Sequence, residues 1–211
     1  MRRLLWLVPV AASGTVHAQN PAPPASAGAA PDAGVIWLGG GLELLSAGSL
    51  RLPPADCGEG GRQDLATTVA FEAAAEYQLT DLVAVGVMPR FVVGISESGP
   101  AGSPTSDTML DLRVRLSLGK AVTPQLRLYG FGALGYSIIY LAAIDMAPTN
   151  PSGWTVTVGA GATYAFDPRT RVLGELAYED GFQTYDGMPT ATSFAVRYLE
   201  LAVGIEFAVG N

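Results

Sequence analysis

The sequence is poor in the residues on which many hydrolytic and zinc enzymes depend. It contains one histidine, His17, and one cysteine, Cys57. A single cysteine can form neither an internal disulfide nor a metal site built from several cysteines. His17 lies in a segment that we predict to be removed, so the mature chain would have no histidine, which excludes histidine-dependent hydrolysis and histidine-ligated zinc. We therefore predict a protein that is not an enzyme and has neither a metal site nor a cofactor.

Positive charge is also scarce. The chain has 12 lysines and arginines against 19 aspartates and glutamates, which gives a formal net charge of −7 at pH 7. Removal of Arg2 and Arg3 with a leader segment would make the charge −9. Such acidity argues against nucleic acid or another anionic polymer as a partner.

The N-terminus has the organisation of an export signal. Arg2 and Arg3 precede an apolar run over 4–12, and small residues follow up to Ala18, which is typical of a secretory signal peptide. The apolar run is too short for a membrane-spanning helix, which needs about 20 residues. We predict a signal peptide over 1–18, a flexible Pro/Ala-rich linker over 19–33 and one domain over 34–211.

No amphipathic helix of useful length follows the linker. The stretch "LDLRVRLSLG" (110–119) instead has an aliphatic residue at every second position, with Asp111, Arg113, Arg115 and Ser117 between them. This period-two pattern is typical of a β-strand with two unlike faces. About eight such stretches predict an all-β chain, with strands near 34–45, 66–78, 82–93, 110–119, 125–139, 153–165, 171–179 and 196–207.

The connections between these stretches alternate in length. Three are short, at "LTD" (79–81), "GKAVTP" (119–124) and "FDPRT" (166–170), and the four others are long and rich in turn-forming residues, over 46–65, 94–108, 140–152 and 180–195. If both termini share a side of a barrel, every short turn falls on that side and every long loop on the other. Outer-membrane barrels show this asymmetry, and a soluble up-and-down barrel has no physical reason for it.

The apolar faces of the strands carry aromatic residues near both ends. Trp154 and Tyr164 bracket the apolar face of one strand and lie ten residues apart, which spans about 25 Å across a membrane at a strand tilt near 40°. Core aromatics of a soluble sandwich would instead gather at mid-strand. We therefore predict two aromatic girdles, which comprise Tyr77, Phe91, Tyr136, Trp154, Tyr164, Tyr178 and Phe207.

The opposite faces carry charged residues mixed with glycine. Glycine weakens a strand but makes room in a narrow barrel, and eight strands enclose an interior only just wide enough for side chains. The predicted lumen charges are eight acidic and five basic residues, namely Glu43, Glu72, Glu76, Arg90, Asp111, Arg113, Arg115, Arg127, Arg171, Glu175, Glu179, Glu200 and Glu206. Mixed signs favour a lumen filled by ion pairs. Two residues blur the alternation of the stretch 125–139, because the aromatic side chains of Tyr129 and Phe131 fall on its inner face. In the stretch 196–207, Arg197 falls on the outer face, where it could reach lipid phosphate.

With this organisation, the chain resembles small outer-membrane β-barrel proteins of the OmpA/OmpW-like kind (the outer membrane protein beta-barrel domain). The stretches "YQLTDLVAVGV" (77–87) and "FDPRTRVLGELAYE" (166–179) look like strand–turn–strand units of this family. The resemblance implies an antiparallel up-and-down transmembrane barrel of about eight strands, located in the cell outer membrane. It also implies a C-terminal assembly signal at Gly204, Phe207 and Val209, although Gly210 and Asn211 rather than an aromatic residue end the chain.

The resemblance further implies partners: the lipid bilayer and lipopolysaccharide of the outer membrane, and the machinery that assembles barrels there. We expect a monomer. Several functions remain open at this point. We favour a barrel with a largely side-chain-filled polar lumen and long extracellular loops, in a structural or surface-interaction role. The alternatives are a narrow channel for small solutes, ions or hydrophobic molecules, and a soluble exported lipocalin-like binding barrel with the aliphatic face inside.

Overall fold

The computed structural model describes residues 33–51, 61–95, 107–140, 150–185 and 192–209. The predicted signal peptide over 1–18 lies outside the described residues, as do positions 19–32 of the predicted linker, Cys57, Gly210 and Asn211. No described residue belongs to a helix long and apolar enough to cross a membrane.

The described part of the chain is all-β and closes into an antiparallel barrel. The strands are β1 (Ile36–Arg51), β2 (Arg62–Asp64), β3 (Thr68–Gln78), β4 (Val83–Ile95), β5 (Asp107–Ala121), β6 (Leu126–Tyr140), β7 (Ser152–Asp167), β8 (Thr170–Tyr185) and β9 (Thr192–Val209). Consecutive long strands pair with each other, and β1 pairs with β9 to close the sheet. The short β2 pairs with the far end of β1, beyond the last pair that β1 makes with β3. This eight-stranded up-and-down barrel confirms the predicted fold.

Three short turns lie at the end of the barrel that also holds the start of β1 and the end of β9, and side chains stabilise them locally. Thr80 Oγ1 accepts hydrogen bonds from the backbone N–H groups of Leu82 and Val83. Thr123 Oγ1 accepts hydrogen bonds from the N–H groups of Gln125 and Leu126. Asp167 Oδ1 accepts a hydrogen bond from the N–H of Arg169. Threonine and aspartate are favoured in turns because their side chains make such bonds. We call this end the short-turn end and the opposite end the long-loop end.

Several strands extend further toward the long-loop end than the alternation predicts. β1 continues to Arg51, β8 continues to Tyr185, and β9 begins at Thr192. In β1 the pairing register with β9 shifts between Ser46 and Ser49, and Ala47 between them has a φ of 50°. This bulge changes which residues face inward, and a strict period of two therefore fails across it.

The barrel interior at the long-loop end is apolar, which the sequence analysis did not predict. A buried cluster, which we call the interior cap, consists of Leu45, Leu65, Ala70, Val92, Ile95, Met109, Ile139, Val196 and Tyr198. These residues come from β1, β3, β4, β5, β6 and β9 and from Leu65, which follows β2, whereas β7 and β8 contribute none. They pack against one another, and on the β8 side buried Gln183 donates to Ser137 Oγ at 2.7 Å, so apolar side chains fill most of the interior at this end.

The outer surface below the interior cap is aliphatic and aromatic. Along β5, Leu112, Val114 and Leu116 are 55%, 61% and 48% exposed, whereas Asp111, Arg113 and Arg115 between them are buried. The same inversion recurs around the barrel. The soluble lipocalin-like alternative is therefore wrong, because it needs the aliphatic face inside.

Candidate functional site: the barrel interior

The first group of buried charges surrounds Arg90 on β4. The Arg90 side chain is fully buried, and its two terminal nitrogens contact carboxylates from four other strands. Nη2 lies 2.9 Å from Asp111 and 2.5 Å from Glu179, and Nη1 lies 3.3 Å from Glu43 and also contacts Glu200. One guanidinium thereby ties β4 to β1, β5, β8 and β9 across the axis.

Arg113 on β5 joins the same group. Its Nη2 lies 2.8 Å from Glu43 and contacts Glu72, and its Nη1 lies 3.3 Å from Glu200. Glu43 and Glu200 are thus shared between the two arginines. We call these two arginines and five carboxylates the upper cluster; its members are Glu43, Glu72, Arg90, Asp111, Arg113, Glu179 and Glu200. Its formal charge is −3.

A second group, the lower cluster, lies nearer the short-turn end and consists of Glu76, Arg115, Arg127, Arg171, Glu175 and Glu206. Arg115 Nη2 lies 2.6 Å from Glu175. Arg171 lies 2.7 Å from Glu76 and 2.5 Å from Glu206. Three basic and three acidic residues make this cluster formally neutral, so the acidic excess of the interior resides in the upper cluster.

Arg127 differs from the other interior arginines. Its Nη1 donates to Gln78 Oε1 at 2.7 Å and its Nη2 donates to the carbonyl oxygen of Leu82 at 3.3 Å. Within the described ranges it makes no ion pair shorter than 4 Å. Its amide and carbonyl partners instead fix it beside the first short turn.

Aromatic rings on the inner face hold two of the arginines. The Arg115 guanidinium lies 3.9 Å from the ring centre of Phe131 and 5.2 Å from that of Tyr129. The Tyr129 hydroxyl donates to Glu175 at 2.5 Å. Arg171 stacks similarly on Trp37 at 4.1 Å. Such cation–π contacts explain why Tyr129 and Phe131 lie on the inner phase.

A glycine on the neighbouring strand makes room for the upper cluster. A Cβ atom at Gly135 would lie 2.4 Å from Thr155 Oγ1, 2.7 Å from Asp111 Oδ1 and 2.8 Å from Arg113 Cγ. No side chain fits there without displacing the ion pairs. The space left by Gly135 is therefore occupied by the side chains of Asp111 and Arg113.

The interior between these side chains is nearly filled. A cavity lined by residues of the lower cluster and a cavity between Arg113, Phe131 and Glu175 have volumes of about 10 Å³ each. Such a volume is about what a single water molecule needs. Among the described residues, no group of three or more histidine, cysteine or acidic side chains is arranged to hold a metal ion.

The structure places all thirteen predicted lumen charges on the inner face and brings twelve of them into direct ion pairs, with Arg127 the exception. Their inner-face neighbours Trp37, Gln78 and Ser117 were not predicted from the sequence. Ser117 accepts a hydrogen bond from Arg115 Nε at 2.8 Å. These residues lie on the same inward-facing positions of the strands as the charges. That alternation could have identified them as inner-face residues.

The seven predicted girdle aromatics lie on the outer surface, with exposed fractions between 42% and 57%. Tyr136 and Trp154 pack edge to face with ring centres 5.4 Å apart. Further aromatics share this surface, among them Phe166 and Phe182. In β9, Phe207 and Val209 are exposed on the same surface, whereas Gly204 lies against the backbone of β1. The roles of these residues as girdles and as an assembly signal stay predictions.

Solved structures share this architecture. The outer membrane protein OprG from Pseudomonas aeruginosa is similar with a TM-score of 0.61 and 15% identity, over 85% of this chain and 97% of OprG. The outer membrane protein AlkL, solved in lipid bilayers, is similar with a TM-score of 0.56 and 14% identity, over 92% of this chain and 98% of AlkL. Neisserial surface protein A is similar with a TM-score of 0.50 and 12% identity, over 80% of this chain and 95% of that protein.

At these identities the similarity shows the fold alone. No curated protein matches the chain. A family model matches nearly the whole chain, over residues 8–210. This match, together with the inverted faces of the barrel, assigns the location to the outer membrane. The chain belongs to the outer membrane protein beta-barrel domain family.

Proposed function

We propose that the protein is a closed, side-chain-filled outer-membrane barrel with a structural or surface-interaction role exerted through its long-loop end. The observation that carries this proposal is the filled interior. The upper cluster, the lower cluster and the interior cap occupy successive levels of the axis, with cavities of about 10 Å³ between side chains.

Two of these levels oppose the passage of ions for different reasons. The interior cap is apolar, which disfavours water and therefore ions, and Gln183 and Ser137 beside it are buried and bonded to each other. The upper cluster is polar but closed, because each of its arginines contacts several carboxylates. Opening it would separate buried ion pairs, which costs about 3–5 kcal/mol when one partner is lost.

The same arrangement argues for a non-catalytic role. The carboxylates of both clusters are buried and contact arginines or other polar side chains, so a substrate has no route to a free acid or base. The mature chain that we predict has no histidine. We infer that the long loops and the outer surface, rather than the interior, contact other molecules.

Conductance of the refolded mature protein in a planar lipid bilayer tests this proposal. We expect no discrete conductance steps above the protein-free bilayer, at protein levels for which a heat-dependent gel shift shows complete folding. Stable steps from folded wild-type protein would contradict the filled barrel. If such steps were cation-selective, as the acidic excess of the upper cluster requires, the narrow-channel alternative would replace it.

A further inference from the structure

The basic residues outside the interior are unevenly distributed. Of the 12 lysines and arginines, Arg2 and Arg3 lie outside the described residues, five lie in the two interior clusters, and Lys120 and Arg169 lie at the short-turn end. The remaining three are Arg51, Arg62 and Arg197. All three lie on β1, β2 and β9, which are adjacent at the long-loop end.

Strand pairing places these three arginines on the outer surface. Arg51 pairs with Arg62 on β2 and with Ala195 on β9, and Ala195 pairs with the exposed Phe182. Residues directly opposite each other in a ladder project from the same face, so both arginines share the outer face with Phe182.

Arg197 lies on the outer face one step lower, for the same reason. Arg197 pairs with Ser49 on β1 and with Asp180 on β8. Asp180 in turn pairs with Val156, an exposed residue of the outer surface. We call Arg51, Arg62 and Arg197 the rim arginine patch.

The height of the patch corresponds to the edge of the apolar band. Arg197 and Phe207 lie on the same face of β9, ten residues apart, which corresponds to about 25 Å along the membrane normal at about 3.3 Å per residue and a tilt near 40°. The apolar band of such barrels is also about 25 Å tall. If Phe207 marks the lower edge, Arg197 lies at the upper edge, and Arg51 and Arg62 lie about 5 Å higher.

An apolar surface lies directly beneath the arginines on the same strands. Leu199 follows Arg197 on the outer face of β9, and Leu44 pairs with Leu201 one step further down. These three leucines are 42–54% exposed. Cationic groups above and aliphatic side chains below match an amphiphile that carries phosphates directly above its acyl chains.

We propose that the rim arginine patch binds the phosphorylated head group of one lipopolysaccharide molecule in the outer leaflet, with acyl chains against Leu44, Leu199 and Leu201. Arginine suits this ligand because its planar guanidinium binds phosphate oxygens in pairs. Within the described residues Arg51 has no ion-pair partner. The proposal rests on the outer-membrane location and on the orientation of the long loops outward.

Two aspartates reduce the positive charge of the patch. Asp180 lies 3.0 Å from Arg197 Nη2, and Asp64 lies 3.4 Å from Arg62 Nε. They compete with phosphate for the arginines, so their removal should strengthen binding. The structure therefore supplies variants with opposite expected effects on the same surface.

The experiment measures binding of purified lipopolysaccharide to the folded mature protein in detergent micelles. The variant R51Q/R197Q should raise the dissociation constant about tenfold, because it removes two of the three cations that would pair with phosphate. D180N should lower it severalfold. K120Q removes an outward cation at the opposite end, beside Leu128, and should leave the dissociation constant unchanged.

Wild-type affinity in R51Q/R197Q would overturn the proposal, as would an equal loss in K120Q. A second arm distinguishes the lipid from free phosphate. Lipopolysaccharide with its lipid A phosphates removed should bind more weakly, and millimolar inorganic phosphate should not displace the intact lipid. Full displacement by inorganic phosphate would show a simple anion site instead. Channel activity of the wild-type protein would refute the filled barrel without affecting these results, because the patch lies outside the barrel.

Discussion

Replacement of Arg90 by methionine tests whether the interior is as dry as its packing indicates. The Arg90 side chain is 0% exposed and contacts Glu43, Asp111, Glu179 and Glu200. Methionine has a similar length and no charge, so the change removes the cation with little loss of volume. Four carboxylates then share a closed space with Arg113 as their nearest remaining cation. Breaking a buried ion pair by removing one partner costs about 3–5 kcal/mol, and we expect a loss of that size.

Arg197→Met is the matched control in membranes without lipopolysaccharide. Arg197 also pairs with an aspartate, Asp180, at 3.0 Å, but the two side chains are 27% and 22% exposed. A solvent-exposed pair contributes about 0–1 kcal/mol, so this variant should differ from the wild type by at most that amount. The contrast between the two variants isolates the effect of burial.

Urea unfolding in phosphatidylcholine vesicles measures both losses. A second-site variant, Glu179→Gln with Glu200→Gln in the Arg90→Met background, should recover part of the stability because it removes two of the uncompensated charges. A fall in pH should also reduce the penalty of Arg90→Met, since protonation of the carboxylates removes their repulsion. A loss of about 1 kcal/mol or less for Arg90→Met would mean that water reaches the upper cluster, and the argument for a filled lumen would fail.

Three further predictions concern the outer surface, the packing and the orientation. Val114→Arg should cost about 2–4 kcal/mol in the same unfolding assay, because it places a charge on the lipid-facing surface near mid-strand; a neutral result would show that this surface does not face lipid. Gly159→Ala should cost about 1–3 kcal/mol, because its Cβ would lie 2.6 Å from the Phe131 ring. Gly174→Ala, which meets nothing within 4 Å, should not lower stability. On intact cells Cys57 should react with a membrane-impermeant thiol reagent and an introduced cysteine at Thr80 should not; the reverse pattern would invert the topology.

The alternation of the sequence was sufficient to predict the faces of most strands. In β5, for example, Asp111, Arg113 and Arg115 point inward and the aliphatic residues between them point outward. This pattern is readable because one face meets lipid and the other meets charged side chains, so the two faces share almost no residue types. The comparison with known families then decided the membrane location that the pattern favoured.

The pairing of the interior charges could not be predicted in the same way. Arg90 contacts Glu200, which is 110 residues away in the chain, and Glu179, which is 89 residues away. Alternation determines the face of a residue but not its height on the axis, because the strands tilt and their registers shift. The aromatic residues Tyr129 and Phe131 contradicted the pattern for a related reason, since their role depends on the position of Arg115 across the barrel.

The early start of β9 was missed because the phase of hydrophobicity inverts within this strand. On β9, Leu199 and Leu201 face outward below Arg197, and Glu200 faces inward. Above that point the inward residues are Val196 and Tyr198 of the interior cap. Such a change of phase looks in the sequence like the end of the strand.

The inversion itself carries information about the surroundings of the barrel. An apolar interior with a polar exterior is the arrangement of a soluble protein, and it lowers the free energy only where the outside is aqueous. On β9 this change occurs at Arg197, in the rim arginine patch, whereas on β3, β4 and β6 the outward residues at the height of the interior cap, namely Val69, Val93 and Tyr140, are still apolar. Inside these upper strand ends the side chains of the interior cap pack against one another, which gives the long connections a packed base. A barrel whose only task was to conduct would gain nothing from an apolar core at its mouth, whereas one that presents loops above the outer leaflet needs such a base.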